Sequence, residues 1–173
     1  PMTGHVGMGH TRWATHGKPS QINAHPHLDC TSQVVVIQNG IVENYRLLRR
    51  ELIAEGHRFA SETDTEVIVH LVERYLGQGH DLATAVRLML HEIEGAHAIV
   101  VMSSCEPDKL VAARLGNAGG VTIGVGKNEM FLASDIPAIL EHTQQMIHLD
   151  SHELVIVTAG GASFLTMEGH PVR

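Results

Sequence analysis

The apolar pattern of this chain changes period twice, and that change limits what it can fold into. At 34–37, Val34, Val35, Val36 and Ile37 make a β-branched run of strand length. Between 43 and 95 the spacing turns helical. A first helix is expected over 43–55, with Leu47, Leu48, Leu52 and Ile53 facing inward and Gly56 ending it. A second carries Val67, Ile68, Leu71, Val72, Tyr75 and Leu76 on one face. Ser61-x-x-Asp64 and Thr63-x-x-Glu66 both read as capping boxes at its start, and Gly77 and Gly79 end it. A third starts near Asp81, carries Leu82, Val86, Met89, Leu90 and Ile93, and stops at Gly95. Beyond 95 short strands dominate. Hairpins are expected at 96–103 with 109–114 and at 121–125 with 129–134, then a short helix at 135–142 and strands at 146–149, 153–158 and 163–167. Strict β-α-β alternation is missing, which argues against a doubly wound parallel sheet. The order fits an α+β domain of two packed sheets with helices outside.

The 173 residues suffice for one domain with a core. A net charge of −7, with 12 basic residues and no basic stripe, argues against nucleic acid as a partner. No apolar run has the length of a membrane span, and no signal peptide is visible at the start. Cys30 and Cys105 lie far apart without C-x-x-C spacing, which fits a reduced, cytoplasmic setting.

Three constellations carry chemistry. Gly9-His10-Thr11-Arg12-Trp13-Ala14-Thr15-His16-Gly17 packs a guanidinium, an indole, two hydroxyls and two imidazoles into nine residues. Residues 5–16 read as an extended segment, and Gly17-Lys18-Pro19-Ser20 turns the chain away. Arg12 offers a planar fork of donors suited to a carboxylate, which Thr15 and His16 can supplement. Asn39-Gly40 ends the first strand and is a strong turn signal. There an amide side chain and a free backbone N–H can point at one developing oxyanion. Asp64 at a helix start reads either as a cap or as a carboxylate for an ammonium. Guanidinium and carboxylate together form the minimal recognition of an α-amino acid zwitterion.

Other patterns fall away. His91-Glu92 meets its next histidine only at His97, so the H-E-x-x-H zinc spacing fails. Gly126-Lys127 has Val121 and Asn128 where a P-loop needs glycine and a hydroxyl. His25-Pro26-His27 could bind a metal, but no cysteine or carboxylate spacing supports it, so neither metal nor cofactor is expected. Neither cysteine looks activated: Cys30 is in a loop between Asp29 and Thr31, and Cys105 lies beside Glu106 and Asp108.

The run at 9–17, followed by Asn23-Ala24-His25-Pro26-His27, Asn39-Gly40-Ile41-Val42-Glu43-Asn44 and Ser61-Glu62-Thr63-Asp64-Thr65-Glu66, resembles the glutaminase domains of the glutamine–fructose-6-phosphate aminotransferase (isomerizing) family. These are class II, N-terminal-nucleophile glutamine amidotransferases. The resemblance runs along essentially the whole chain. It implies a four-layer αββα sandwich and hydrolysis of the glutamine side-chain amide to glutamate and ammonia. In the family the ammonia converts fructose 6-phosphate to glucosamine 6-phosphate. By motif position, Asn39 and the Gly40 N–H would form the oxyanion hole. Arg12, helped by Thr15 and His16, would bind the α-carboxylate, Asp64 the α-ammonium, and Trp13 would belong to the loop closing over glutamine. The nucleophile in the family is an N-terminal cysteine whose α-amino group serves as base.

The chain departs from that pattern in several places. It opens on Pro1-Met2-Thr3-Gly4, and neither Cys30 nor Cys105 matches the family nucleophile. We therefore expect a partial amidotransferase domain over 1–173, without the nucleophile segment and the C-terminal sugar isomerase domains. Such a piece would be inactive alone, and less stable than a complete domain or dimeric. Gln38 stands where the family commonly has histidine, and the glycine-rich 114–120 segment suggests a looser loop. The expected partners are glutamine or glutamate, the isomerase domains of the parent chain and a second copy in a homodimer. The alternatives are a glutaminase domain of the amidophosphoribosyltransferase type and a non-catalytic glutamine-binding module.

Overall fold

A computed structural model describes residues 4–13 and 16–172. Six antiparallel strands form the large sheet in the order β1 (His27–Leu28), β2 (Val34–Gly40), β3 (His97–Ser103), β4 (Lys109–Leu115), β8 (Glu153–Thr158) and β9 (Gly161–Thr166). A small antiparallel sheet pairs β5 (Thr122–Val125) with β6 (Met130–Ala133) on one side and β7 (Met146–His148) on the other. Between β2 and β3 come the helices α1 (Tyr45–Ala54), α2 (Glu66–Gly77) and α3 (Leu82–Leu90).

Alternation along the strands builds two cores. Val34, Val36, Ile99, Val101, Val111, Ala113 and Leu154 face the helices and pack against Val67, Ile68, Leu71, Val86 and Met89. The intervening residues Ala98, Ala112, Val155 and Val157 face the other way, against Val121, Ile123 and Leu149 of the small sheet and its flanks. A sheet covered on both faces needs apolar residues at consecutive positions, which explains the unbroken Ala98-Ile99-Val100-Val101 run. The result is an α+β sandwich. Beyond the small sheet, the expected short helix is one 3-10 turn, Ile136–Ala138, followed by buried Ile139. That segment covers the outer face of β5, where a side chain added to Gly124 would meet Ile139 and Thr143.

Several sequence expectations need correction. Asn39-Gly40 is not a hairpin turn: β2 continues through both residues, which pair with Ala98 and His97. Gly40 is required there, because its φ is +131° and an added Cβ would lie 2.2 Å from the Ala96 carbonyl oxygen. In α1 only Leu48 and Leu52 are buried, while Leu47 and Ile53 are 48% and 52% exposed. The helix has one packing face, on α2, and four apolar positions span more than it covers. α2 is buried over its first two turns, including Val69 and His70, because α1, α3 and the sheet surround it. Its N-cap, Thr65, makes no side-chain cap bond, so neither capping box forms as expected. The Glu66 carboxylate instead accepts the Ala60 and Ser61 amides, at 2.6 and 2.7 Å. Asp81 does cap α3, accepting the Thr84 amide at 2.7 Å. Described residues in 4–13 form no strand. The 114–120 loop is held in place, with Arg114 donating to the Gly119 and Leu149 carbonyls, each at 3.1 Å.

Leu154 is fully buried between the large sheet and the helices. Leu154→Ala should cost about 2–5 kcal/mol in urea unfolding. Ile53→Ala, on the exposed side of α1, should stay within about 0.5 kcal/mol of the parent.

Candidate functional site

The C-terminal end of β2 places two side chains on opposite faces. Gln38 points toward the helices and Asn39 into the gap between the sheets, as strand alternation requires. Gln38 donates from Nε2 to His97 Nδ1 at 2.9 Å and accepts the Thr65 hydroxyl at 2.6 Å. The amide thus does the hydrogen bonding at this position with no titratable ring. On the other face, His10 Nε2 donates to Asn39 Oδ1 at 2.9 Å, which leaves the Asn39 Nδ2 donors free to turn toward a ligand.

Beyond Gly40 the chain turns, and the Val42 amide donates to Asp64 Oδ2 at 2.8 Å. Asp64 is only 2% exposed, and this bond fixes it beside the strand end. A cavity of about 530 Å³ opens here. Arg12, Trp13, Asn39, Gly40 and Asp64, five of the seven residues expected from sequence, line it together. His16 does not line it. Its Nδ1 lies 3.5 Å from Asp64 Oδ1, so it faces the carboxylate and not the Arg12 fork. Thr15 lies outside the described residues.

Arg12 is committed in part to its own loop. It donates to the carbonyls of His16, Gly17 (3.1 Å) and Lys18 (3.5 Å). Those bonds use Nη1 and Nη2, and among the described residues Nε–H and one Nη1–H stay unspent. Trp13 is 90% exposed, projecting from the rim. Asn23, fully buried, joins this loop to the Asp64 loop: its Nδ2 donates to the Lys18 carbonyl at 3.0 Å, and its Oδ1 accepts the Glu62 amide at 2.9 Å.

Histidines line the rest. The His10 ring lies tilted against His25 at 4.4 Å between centroids, and His27 meets His25 edge-on at 5.0 Å. Burial, then the neighbouring His10, His27 and Arg12, pushes His25 down to about 3. Its Nδ1 accepts the Gln38 amide at 3.5 Å, a bond only the unprotonated nitrogen can make. Burial likewise lowers His27 and His97. His27 Nε2 lies 2.9 Å from the Thr63 hydroxyl. Sequence reasoning missed His10, His25, Gln38, Thr63 and Thr65 as lining groups. The motifs at 9–17, 23–27 and 61–66 contain four of them and Gln38 precedes the motif at 39–44, but spacing says nothing about which way they face.

A second cavity of about 520 Å³ shares His10, Thr11, Gln38 and Asn39 with the first. It runs between the sheets, past Ile37, Ala98, Val100, Val121 and Leu132. Cys30 and Cys105 line neither cavity. Burial raises the Cys30 thiol, in keeping with an unactivated cysteine. Cys30 lies instead among His57, His70 and Glu73, where four donor atoms fall within 4.8 Å of one another. Among the described residues, no helix is long and apolar enough to cross a membrane.

Comparison with known proteins places the chain in a family. A family model described as a glutamine amidotransferase domain matches residues 2–165. The glutamine–fructose-6-phosphate aminotransferase [isomerizing] of Methanothermobacter thermautotrophicus is 49% identical over 172 residues, covering 99% of this chain and 29% of that protein. Its counterpart from Clostridium perfringens is 46% identical over 173 residues, covering 100% and 28%. The chain thus spans under a third of the length of these relatives. Among solved structures, the glutamine phosphoribosylpyrophosphate amidotransferase from B. subtilis superposes with a TM-score of 0.75 at 23% identity, covering 91% of this chain and 34% of that one. A structure described as the allosteric regulatory enzyme of purine biosynthesis gives 0.76 at 26% identity, with the same coverage. These two likenesses concern the fold. The family-model match extends from the Arg12 loop through the last strand, and the chain belongs to the glutamine amidotransferase domain family.

Proposed function

We propose that this chain is the glutamine-binding part of a glutamine–fructose-6-phosphate aminotransferase, the enzyme that makes glucosamine 6-phosphate. One observation carries the reading: Arg12, Asn39, Gly40 and Asp64 converge on a single cavity of about 530 Å³. That cavity is within the size range of small-molecule sites. The α-carboxylate of glutamine takes the unspent Nε–H and Nη1–H of Arg12. The α-ammonium goes to Asp64, whose charge is held in place by the Val42 amide. The side-chain amide then reaches the end of β2, where Asn39 Nδ2 and the Gly40 N–H stabilise the oxyanion formed on attack. His10 acts as a positioning residue, setting which way the Asn39 amide points. Trp13, on the rim, closes over the ligand.

The family nucleophile is a cysteine thiol, and neither cysteine of this chain lines the cavity. The described residues of the cavity thus supply glutamine recognition and oxyanion stabilisation, and cleavage calls for a thiol beside them. Ammonia release belongs to a parent protein in which a nucleophile segment and a sugar isomerase part accompany this domain, in the cytoplasm and as a homodimer. The likeness to the phosphoribosylpyrophosphate enzyme concerns the fold and favours no second substrate.

Calorimetry with L-glutamine and L-glutamate tests the reading. Arg12→Ala and Asp64→Asn should each weaken binding about 10- to 100-fold, the equivalent of losing a charged hydrogen bond. Absence of glutamine and glutamate binding by the wild-type chain, or unchanged binding in both variants, would sink it. A pH dependence follows from His25. Its folded pKa of about 3 lies below the ordinary 6.5, so the unfolded chain binds the proton first as pH falls. Stability is full above 6.5 and declines from there toward about 3. The thermal midpoint should fall across that window, and His25→Asn should flatten the fall.

A further inference from the structure

We propose a second site on this chain: Cys30, His57, His70 and Glu73 bind one divalent transition-metal ion, with zinc the best match. Sequence spacing conceals the set. Cys30 precedes β2, His57 follows α1, and His70 and Glu73 sit one turn apart on α2. The fold brings their donor atoms within 4.8 Å of one another. Cys30 Sγ lies 3.8 Å from His70 Nδ1. Glu73 Oε2 lies 2.7 Å from His57 Nδ1 and 2.9 Å from His70 Nδ1. Tetrahedral zinc with ordinary bond lengths sets its donors about 3.5 Å apart. Accommodating the ion therefore takes an outward swing of the Glu73 carboxylate from its 2.7 and 2.9 Å contacts, and an inward shift of the donors that now stand up to 4.8 Å apart.

The chemistry of the donors also fits. One thiolate, two neutral imidazoles and one carboxylate form a mixed sulfur, nitrogen and oxygen set that zinc accepts. Thiolate and carboxylate together cancel the charge of a dication. Binding releases the thiol proton, and the imidazole protons move to the far ring nitrogens. For His70 that far nitrogen is already provided for. Nε2 is buried without a hydrogen bond and lies 3.7 Å from Glu66 Oε1. A carboxylate behind a ligating imidazole is the usual outer partner of a metal-bound histidine. The sulfur has an outer partner too, since the Arg58 amide donates to Cys30 Sγ at 3.2 Å. Phe59 packs on the His70 ring at 4.4 Å, while Cys30, His57 and Glu73 are only half-buried, leaving a way in.

A protonated His70 clamped between Glu66 and Glu73 would account for two of these contacts. Glu73 also holds His57 and the Cys30 amide, at 2.7 and 3.2 Å, but these bonds do not require the Cys30 sulfur to face the His70 ring. The site lies outside the glutamine cavity and does not depend on the glutamine reading. Its ion would be structural, tying the loop after α1 and the loop before β2 onto α2.

The test is zinc uptake by the purified chain, measured by calorimetry and elemental analysis after gel filtration, with Co²⁺ as an optical probe. One Zn²⁺ per chain is expected, with a raised thermal midpoint that chelator reverses. Co²⁺ should give a thiolate-to-metal charge-transfer band, absent in Cys30→Ser. Cys30→Ser and His57→Asn should each weaken zinc binding by more than about tenfold, and Glu66→Gln by about 10- to 100-fold. Circular dichroism checks that each variant folds. No uptake by the folded wild-type chain would overturn the proposal. So would uptake unchanged in both Cys30→Ser and His57→Asn, which would put the ion on the His10, His25 and His27 group, or a Co²⁺ spectrum without the thiolate band.

Discussion

The bond from the Val42 amide to Asp64 is the constraint on which the glutamine cavity depends. It joins the end of β2 to the loop before α2, two places 22 residues apart in sequence. A carboxylate this buried is costly unless it is hydrogen-bonded. The Val42 N–H supplies that bond and so dictates where the loop lies. Thr65, one residue on, then reaches Gln38, and Thr63 reaches His27. Each of these partners comes from a different strand. The loop is thereby fastened to β1 and β2 together, and oxyanion donors and carboxylate are presented to the same space.

Much of this was legible in the sequence, for physical reasons that differ by element. α2 and α3 were readable because their buried faces repeat with helical period. The strands after 95 were readable because turns rich in polar residues and glycine separate short apolar runs. The ladder through Asn39 and Gly40 was not. A turn signal describes local backbone preference, whereas the partner of Asn39 is Ala98, beyond three helices. Tertiary pairing overrode the local signal, and Gly40 is needed for the close approach of the Ala96 carbonyl instead of for a hairpin. Arg12 and Asp64 were identifiable by chemistry. That the Arg12 fork grips its own loop, and that His16 faces Asp64, are matters of side-chain direction that spacing does not encode.

The cavity also divides electrostatically. On one side the His10, His25 and His27 rings pack against one another, and burial disfavours the charged forms of His25 and His27. Arg12 adds to that effect on His25 and His27. Neutral imidazoles keep positive charge from accumulating around Arg12 and can still accept hydrogen bonds, as His25 does from Gln38. On the other side Asp64 supplies a fixed negative charge. Arg12 and Asp64 thus offer opposite charges to one space, which Asn39 also lines.

α2 serves both regions through one residue. Glu66, His70 and Glu73 lie at i, i+4 and i+7, so they share a helix face distinct from the apolar one. Glu66 accepts the Ala60 and Ser61 amides and the Ser61 hydroxyl, and also lies behind His70. Burial would raise its pKa, but His70, Ser61 and the Ala60 amide hold it down to about 2, so it carries its charge into the interior. Ser61 in turn bonds Thr63, which bonds His27. The chain of contacts from the Cys30 cluster to the cavity wall therefore passes through a single ionised carboxylate. This explains why the loop from 57 to 65 needs no regular secondary structure to hold Asp64 in place. Its Ala60 and Ser61 amides are taken up by α2, its Thr63 and Thr65 hydroxyls by β1 and β2, and its Arg58 and Glu62 amides by Cys30 and Asn23.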